Sequence, residues 1–305
     1  MRTFLLRRAV LAALVGLTVL VLSFTLTRIA GDPALAVAGP QATAADVAAI
    51  RTAYGLDRPM LAQFADWVGA AARGDLGRSY LFREPVANLI RARLPVTLTL
   101  GLVGIGFALL IALPLGVIAA LREGSLTDRL VMLVALLGQA MPSFWLALLL
   151  IIGFGLRLQW FPIAGLDGPE GYVLPGFVLS FSAIPALMRL TRSGMIEALR
   201  SDYIRTARAK GLSRASIVLK HAARNAAMPV VAIAAVQLGF MLGGSIVIET
   251  VFNLPGVGYL ALESISKNDF PVVQAVVMLL AIIYIALTLL ADLLNAALDP
   301  RLRAA

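Results

Sequence analysis

The chain has 305 residues, of which 60% are hydrophobic and only 14% charged, against roughly a quarter charged in soluble domains. It contains no cysteine and one histidine, which excludes disulfides, thiolate nucleophiles and thiolate or histidine-based metal clusters. The formal net charge of +9 raises the question of nucleic acid, which the placement of the charges answers below.

Six long windows carry no Asp, Glu, Lys or Arg: residues 9–27, 94–121, 130–156, 171–188, 225–248 and 270–291. A helix rising about 1.5 Å per residue needs roughly 20 apolar residues to cross a hydrocarbon core of about 30 Å. The pattern therefore predicts an all-α polytopic membrane protein with six transmembrane helices.

The first window follows Arg2, Arg7 and Arg8, and Ala34-Leu35-Ala36 resembles a signal-peptide cleavage site. The apolar run nevertheless exceeds the roughly 7–15 residues of a signal core, so residues 1–30 read as an N-terminal segment plus the first span. Residues 31–93 form the one sizeable external region, nearly neutral, with seven basic and six acidic residues. Gly31-Asp32-Pro33, Gly39-Pro40, Asp57-Arg58-Pro59 and Gly74-Asp75 punctuate it, and helices are expected at 44–54 and 60–72, making a small helical cap.

The second span, about 94–121, contains Gly101, Gly104, Gly106, Pro114 and Gly116, a composition that packs closely against neighbours and bends near Pro114. In the third, about 130–156, Gly138-Gln139-Ala140-Met141-Pro142 and then Ser143 combine a small residue, an amide and a helix breaker near mid-span. Backbone groups freed there must be satisfied by protein or by a wet cavity. Gln139, Met141 and Ser143 are thus candidates to line a pathway, or part of a kinked packing helix. The fourth span is expected at about 171–190, the fifth at 229–249 and the sixth at 270–294, followed by a tail at 299–305. Gln237 is a further candidate for a pathway lining, and Gln274 carries the same ambiguity.

Residues 191–228 join the fourth and fifth spans, and nine basic residues lie between Arg189 and Arg224. Ser201-Asp202 is expected to open a helix, with the hydroxyl able to cap it, and Gly211 to close it in a left-handed conformation. Leu212-Ser213 would then open a second helix running to about Met228, before Pro229. This describes two helices across the membrane surface; a solvated or headgroup-binding basic loop is the plainer alternative. Arg122, Arg129, Arg301 and Arg303 fall on the same side as this loop and the N-terminus, whereas the short loops opposite hold only Arg157 and Lys267. By the positive-inside rule both termini face the cytoplasm. The basicity reports topology, with anionic lipid headgroups as neighbours and no nucleic acid.

An energy source is missing from the chain. The windows hold no carboxylate or histidine for a proton relay, and His221 lies in the basic loop. The lysines are Lys210, Lys220 and Lys267, and none follows the glycines of a phosphate-binding loop. No nucleophile with a base, and no paired carboxylates, lie at membrane depth. Either the protein is passive or a partner supplies the energy.

The run Asp202-Tyr203-Ile204-Arg205-Thr206-Ala207-Arg208-Ala209-Lys210-Gly211-Leu212-Ser213, with His221-Ala222-Ala223-Arg224-Asn225-Ala226 and Pro229, resembles the coupling loop of ABC importer permeases of the dipeptide and oligopeptide class. Gly31-Asp32-Pro33, Gly55-Leu56-Asp57-Arg58-Pro59, Gly74-Asp75-Leu76-Gly77-Arg78-Ser79, Gly243-Gly244-Ser245 with Glu249, Asn253-Leu254-Pro255-Gly256-Val257-Gly258 and Asp299-Pro300-Arg301 extend the resemblance over almost the whole chain. Many such permeases have Glu-Ala-Ala before the glycine. Arg205-Thr206-Ala207 departs from that and looks like the peptide-class members.

The resemblance implies a type I-like importer transmembrane domain in the bacterial inner membrane. It implies as partners a second homologous permease, two cytoplasmic ATPase subunits and a periplasmic or lipid-anchored solute-binding protein. ATP and Mg would be bound by the ATPases, with no cofactor on this chain and no catalysis by it. In that scheme Tyr203, Ala207 and Leu212 would give the ATPase apolar contact, and Arg208 and Lys210 would pair with its acidic groups. Gly211 would set the turn, and His221 would complete the docking elements. A passive channel or structural membrane subunit is the rival reading, but gives no reason for the basic helical loop.

Overall fold

The computed structural model describes residues 2–39, 41–166 and 168–298; the motif Asp299-Pro300-Arg301 and the expected tail lie outside the described residues. The named elements are helices. α1 (Arg2–Ala30) covers the first apolar window. The Asp32 carboxylate accepts the Ala34 N–H at 2.9 Å and caps α2 (Pro33–Ala38), where proline at the first position forfeits no intrahelical bond. Thr43 and Asp46 exchange side-chain and backbone bonds in a capping box at the start of α3 (Ala44–Ala53), and α4 (Met60–Ala72) follows Pro59.

α5 (Val86–Leu121) runs unbroken through Pro95 and Pro114. α6 (Leu126–Ala140) begins at Ser125, whose hydroxyl accepts the Asp128 N–H. α7 (Ser143–Leu150) continues as a π-helical stretch, Ile151–Arg157. A 3₁₀ turn, Pro169–Tyr172, leads into α8 (Val173–Ser180), and α9 (Ile184–Arg200) leads into the short α10 (Asp202–Ala209). α11 (Arg214–Ser216), a π-helical stretch Ile217–Ala222 and α12 (Ala223–Val251) form one continuous rod. α13 (Val257–Ser266) and α14 (Phe270–Leu298) complete the chain.

Four stretches are long and apolar enough to span a membrane: Leu6–Ile29, Val86–Leu121, Arg214–Val251 and Phe270–Ala296. Two bent pairs bring the count to six if each is one span. Leu126–Ala140 with Ser143–Arg157 turns through 99°, and Pro169–Ser180 with Ile184–Arg200 through 64°.

The structure corrects several expectations. The fourth span is not one continuous helix but breaks at residues 181–183, and its second half continues to Arg200. Helix is not interrupted before Pro229, because it runs unbroken from Arg214. Within an apolar span the surrounding helices and local π-type adjustments re-satisfy the carbonyl that a proline leaves free. The second helix expected after Gly211 is therefore continuous with the helix of the fifth span rather than separate from it. Ser201 precedes α10 but does not cap it: its hydroxyl donates to Ala198 O at 2.5 Å. The helices also outrun the uncharged windows and enclose Asp128 and Glu249.

The chain divides into two compact units. In the unit of residues 2–97 and 255–285, Val86, Leu89 and Ile90 pack with Val257, Leu260, Val272 and Val276. Phe24 meets Phe64 and Trp67, with ring centroids 5.4 and 6.0 Å away. Asp269 is fully buried, accepting the Ser79 hydroxyl and the Tyr80 and Leu81 N–H groups. Gln274 is buried too, donating to Thr27 Oγ1 at 2.7 Å, so it serves packing.

In the unit of residues 98–254 and 286–298, α9 is the hub. A Cβ on Gly116 of α5 would lie 2.7 Å from Thr191 Cβ, and one on Gly194 would lie 3.3 Å from Ala226 Cα of α12. At Gly116 only hydrogen lets the helices approach so closely, and at Gly194 a side chain would be tightly crowded.

Candidate functional site: a cavity at two helix breaks

Both breaks open onto one cavity of about 490 Å³ within the second unit. At the first, Met141, which the following proline disfavours in the helical region, is extended (φ −75°, ψ 132°), and so is Pro142 (φ −59°, ψ 130°). Helix resumes when Pro142 O accepts the N–H groups of Trp145 and Leu146 at 3.0 and 3.1 Å. At the second break, Ser180 and Ser182 hydroxyls bond back to Phe177 O and Leu179 O at 2.6 and 2.8 Å. Such back-bonding competes with the helical ladder and bends it.

All four residues that the sequence nominated for a pathway, Gln139, Met141, Ser143 and Gln237, line this cavity. Gly138 and Leu146 join them from the first broken span, Val178, Leu179, Phe181, Ser182 and Ala186 from the second, and Phe240, Met241, Gly244 and Ile248 from α12. No lining residue is ionisable. Polarity comes from two amides and two hydroxyls on an apolar and thioether wall, a surface that can hydrogen-bond a passing solute without holding it by charge. Sequence reading missed the wall contributed by Phe181 and Ser182, whose break carries no internal glycine or proline. The available signal was the Ser-x-Ser pair ahead of Pro185.

The nominated coupling residues cluster around α10. Ile204 and Ala207 are buried against Met195, Ala198, Ile217, Val218 and Ala222. Ala207, expected to face a partner, is turned inward and holds α10 to its own unit. Tyr203, Arg208, Lys210 and Leu212 are exposed and His221 is half-buried. The Tyr203 hydroxyl accepts from Asn225 Nδ2 at 2.8 Å, tying α10 to α12. Gly211 has φ +75°. The Leu212 N–H reaches Ala207 O at 3.3 Å and the Gly211 N–H reaches Arg208 O at 3.0 Å. These two bonds make a Schellman motif with Gly211 at its left-handed position.

Two buried carboxylates of this unit were not singled out from the sequence for a structural role. Asp128 receives Arg192 in a two-pronged pair. Glu249 is buried in α12 and accepts the Ser245 hydroxyl at 2.9 Å. Among the described residues no group of three or more His, Cys, Asp or Glu is placed to hold a metal ion.

A multi-pass helical chain with a polar, uncharged cavity at two broken spans defines a membrane permease. Comparison with known proteins makes this specific: residues 112–304 match the family model of the binding-protein-dependent transport system inner membrane component, and residues 1–101 match its N-terminal companion. The chain belongs to that family. It is 41% identical to a protein of Brucella abortus described as a peptide transport system permease, over 99% of both chains. It is also 41% identical to the glutathione transport system permease protein GsiC of Escherichia coli K12, over 90% of this chain and 89% of that one. In fold it resembles a chain of the MetNI methionine ABC transporter in its inward facing conformations, with a TM-score of 0.58 at 21% identity. That match covers 69% of this chain and 96% of the other.

Proposed function

We propose that the chain is a membrane-spanning subunit of an ATP-driven importer that moves short peptides or related small solutes across the bacterial inner membrane through the cavity at the two breaks. One observation carries the reading of the passage: Gln139, Met141 and Ser143 of the first broken span and Gln237 of α12, distant from them in sequence, line one uncharged cavity. The relatives' cargoes, peptides and glutathione, carry amide groups that such a lining can hydrogen-bond. The energy comes from two cytoplasmic ATPase subunits that hold ATP and Mg. A second homologous permease and a solute-binding protein complete the complex. Coupling falls to the exposed face of α10 and its turn, where Tyr203, Arg208, Lys210, Gly211 and Leu212 meet the ATPase and His221 lies close by.

In this reading both termini and residues 191–228 face the cytoplasm and residues 31–93 face outward, following the distribution of basic residues. The native absence of cysteine allows a direct test. Asp75→Cys should react with an impermeant maleimide in intact cells and Ser213→Cys should not; the reverse pattern inverts the topology. Proteoliposomes holding the complete complex should take up dipeptide or glutathione only with Mg-ATP inside, and uptake that is independent of ATP would favour a passive channel.

A further inference from the structure

We infer that the ion pair between Arg192 and Asp128 is a positioning link that makes the first broken span move with α9 and α10, so that a displacement of α10 reaches the cavity. The inference rests on the importer reading above.

Its first ground is mechanical continuity at one end. Ile204 and Ala207 fasten α10 to Met195 and Ala198, in the last turns of α9, so α10 cannot shift without carrying that end of α9. Arg192 lies one turn before Met195. Its Nε and Nη2 reach the two carboxylate oxygens of Asp128 at 2.6 and 2.7 Å. Asp128 also accepts the Gly124 N–H at 2.9 Å, and its side chain is only 6% exposed.

The second ground is where the other end leads. Asp128 stands in the first turn of α6, and α6 ends at the Met141-Pro142 break, where Gln139 and Met141 line the cavity. A planar guanidinium engaged through two parallel bonds fixes direction as well as distance, which a lysine cannot do. The neighbouring pair between Arg200 and Glu123, at 2.8 Å, is exposed on both sides and screened by solvent, so it makes a weak tether.

The test uses the assembled complex in proteoliposomes, with an environment-sensitive fluorophore on Ala140→Cys, an exposed position at the end of α6. In the otherwise native complex, Mg-ATP with vanadate should change the fluorescence. In Arg192→Lys and Arg192→Gln that response should fall at least threefold per labelled complex, while the ATPase subunits, assayed without vanadate, continue to hydrolyse ATP. Reversing the pair, Asp128→Arg with Arg192→Asp, should recover part of the response. Because the signal is read per assembled complex, reduced yield does not enter it. A full response in both Arg192 variants overturns the link, and so does a reversed pair that assembles but responds no better than Arg192→Gln. If the native complex itself gives no response and no ATP-dependent uptake, the importer reading fails and the link with it.

Discussion

Gly138 and Phe181 meet so closely that a Cβ on the glycine would lie 2.7 Å from Phe181 Cδ1 and 2.9 Å from Cε1. The contact joins the end of α6 to the second break, so the two broken spans touch beside the cavity. Gly138→Ala should overpack this seam at a cost of about 1–3 kcal/mol, lowering the thermal midpoint of the purified protein and slowing uptake. Adding Phe181→Leu should restore much of both. Uptake and melting unchanged in Gly138→Ala would mean that the ring moves aside freely.

At Gly211 the constraint is one of backbone conformation, because a Cβ there meets nothing within 4 Å. The φ of +75° alone sets the penalty, about 1 kcal/mol or more for Ala and more for a β-branched residue. Gly211→Val should insert normally, bind the ATPase subunits more weakly in pull-down than Gly211→Ala, and lose uptake. Gly211→Asn, which tolerates this conformation, should stay near wild type. Equal retention of assembly and uptake by Val and Asn would remove the turn from the coupling site.

Gln139→Leu and Gln237→Leu should each lower uptake about two- to tenfold, the worth of one hydrogen bond of 0.5–1.5 kcal/mol to a passing solute. Expression should not change, since Gln139 is exposed and Gln237 half-buried within the cavity lining. Transport at the wild-type rate in both variants would show that the amides only pack.

In the unit of residues 2–97 and 255–285, Asp269→Ala would leave the Ser79 hydroxyl and the Tyr80 N–H without their acceptor. Each orphaned buried group costs about 1–3 kcal/mol. Limited proteolysis of the purified protein should therefore cut the segment around residues 79–82 much faster than in the native chain, with Asp269→Asn intermediate. Identical digestion rates would place the stability of that segment elsewhere.

Part of the local chemistry was legible residue by residue, though Ser201 does not cap α10 and Pro229 does not begin a helix. The helices expected at 44–54 and 60–72 stand as α3 and α4. Met141-Pro142 broke its helix, as proline favours at the residue before it, although Pro95, Pro114 and Pro229 left theirs intact, and Gly211 took the left-handed position that a residue without a Cβ adopts at least cost. The break at residues 181–183 was not legible, since serine hydroxyls bend a helix only when the surrounding packing accommodates the bend. The inward turn of Ala207 was hidden too: which face of an eight-residue helix is covered depends on Met195 and Ala198, helix residues that no local pattern pairs with it.

The amino-acid sequence by itself determined the membrane class, the number of apolar windows and the distribution of basic charge, because each depends on composition along the chain and on the thickness of lipid. Only the tertiary structure decided that two broken spans and α12 share one cavity and that Arg192 closes on Asp128. Those relations join residues far apart in sequence, and they follow from close helix packing at Gly116, Gly138 and Gly194, where the absence of a side chain matters only once a particular neighbour is there.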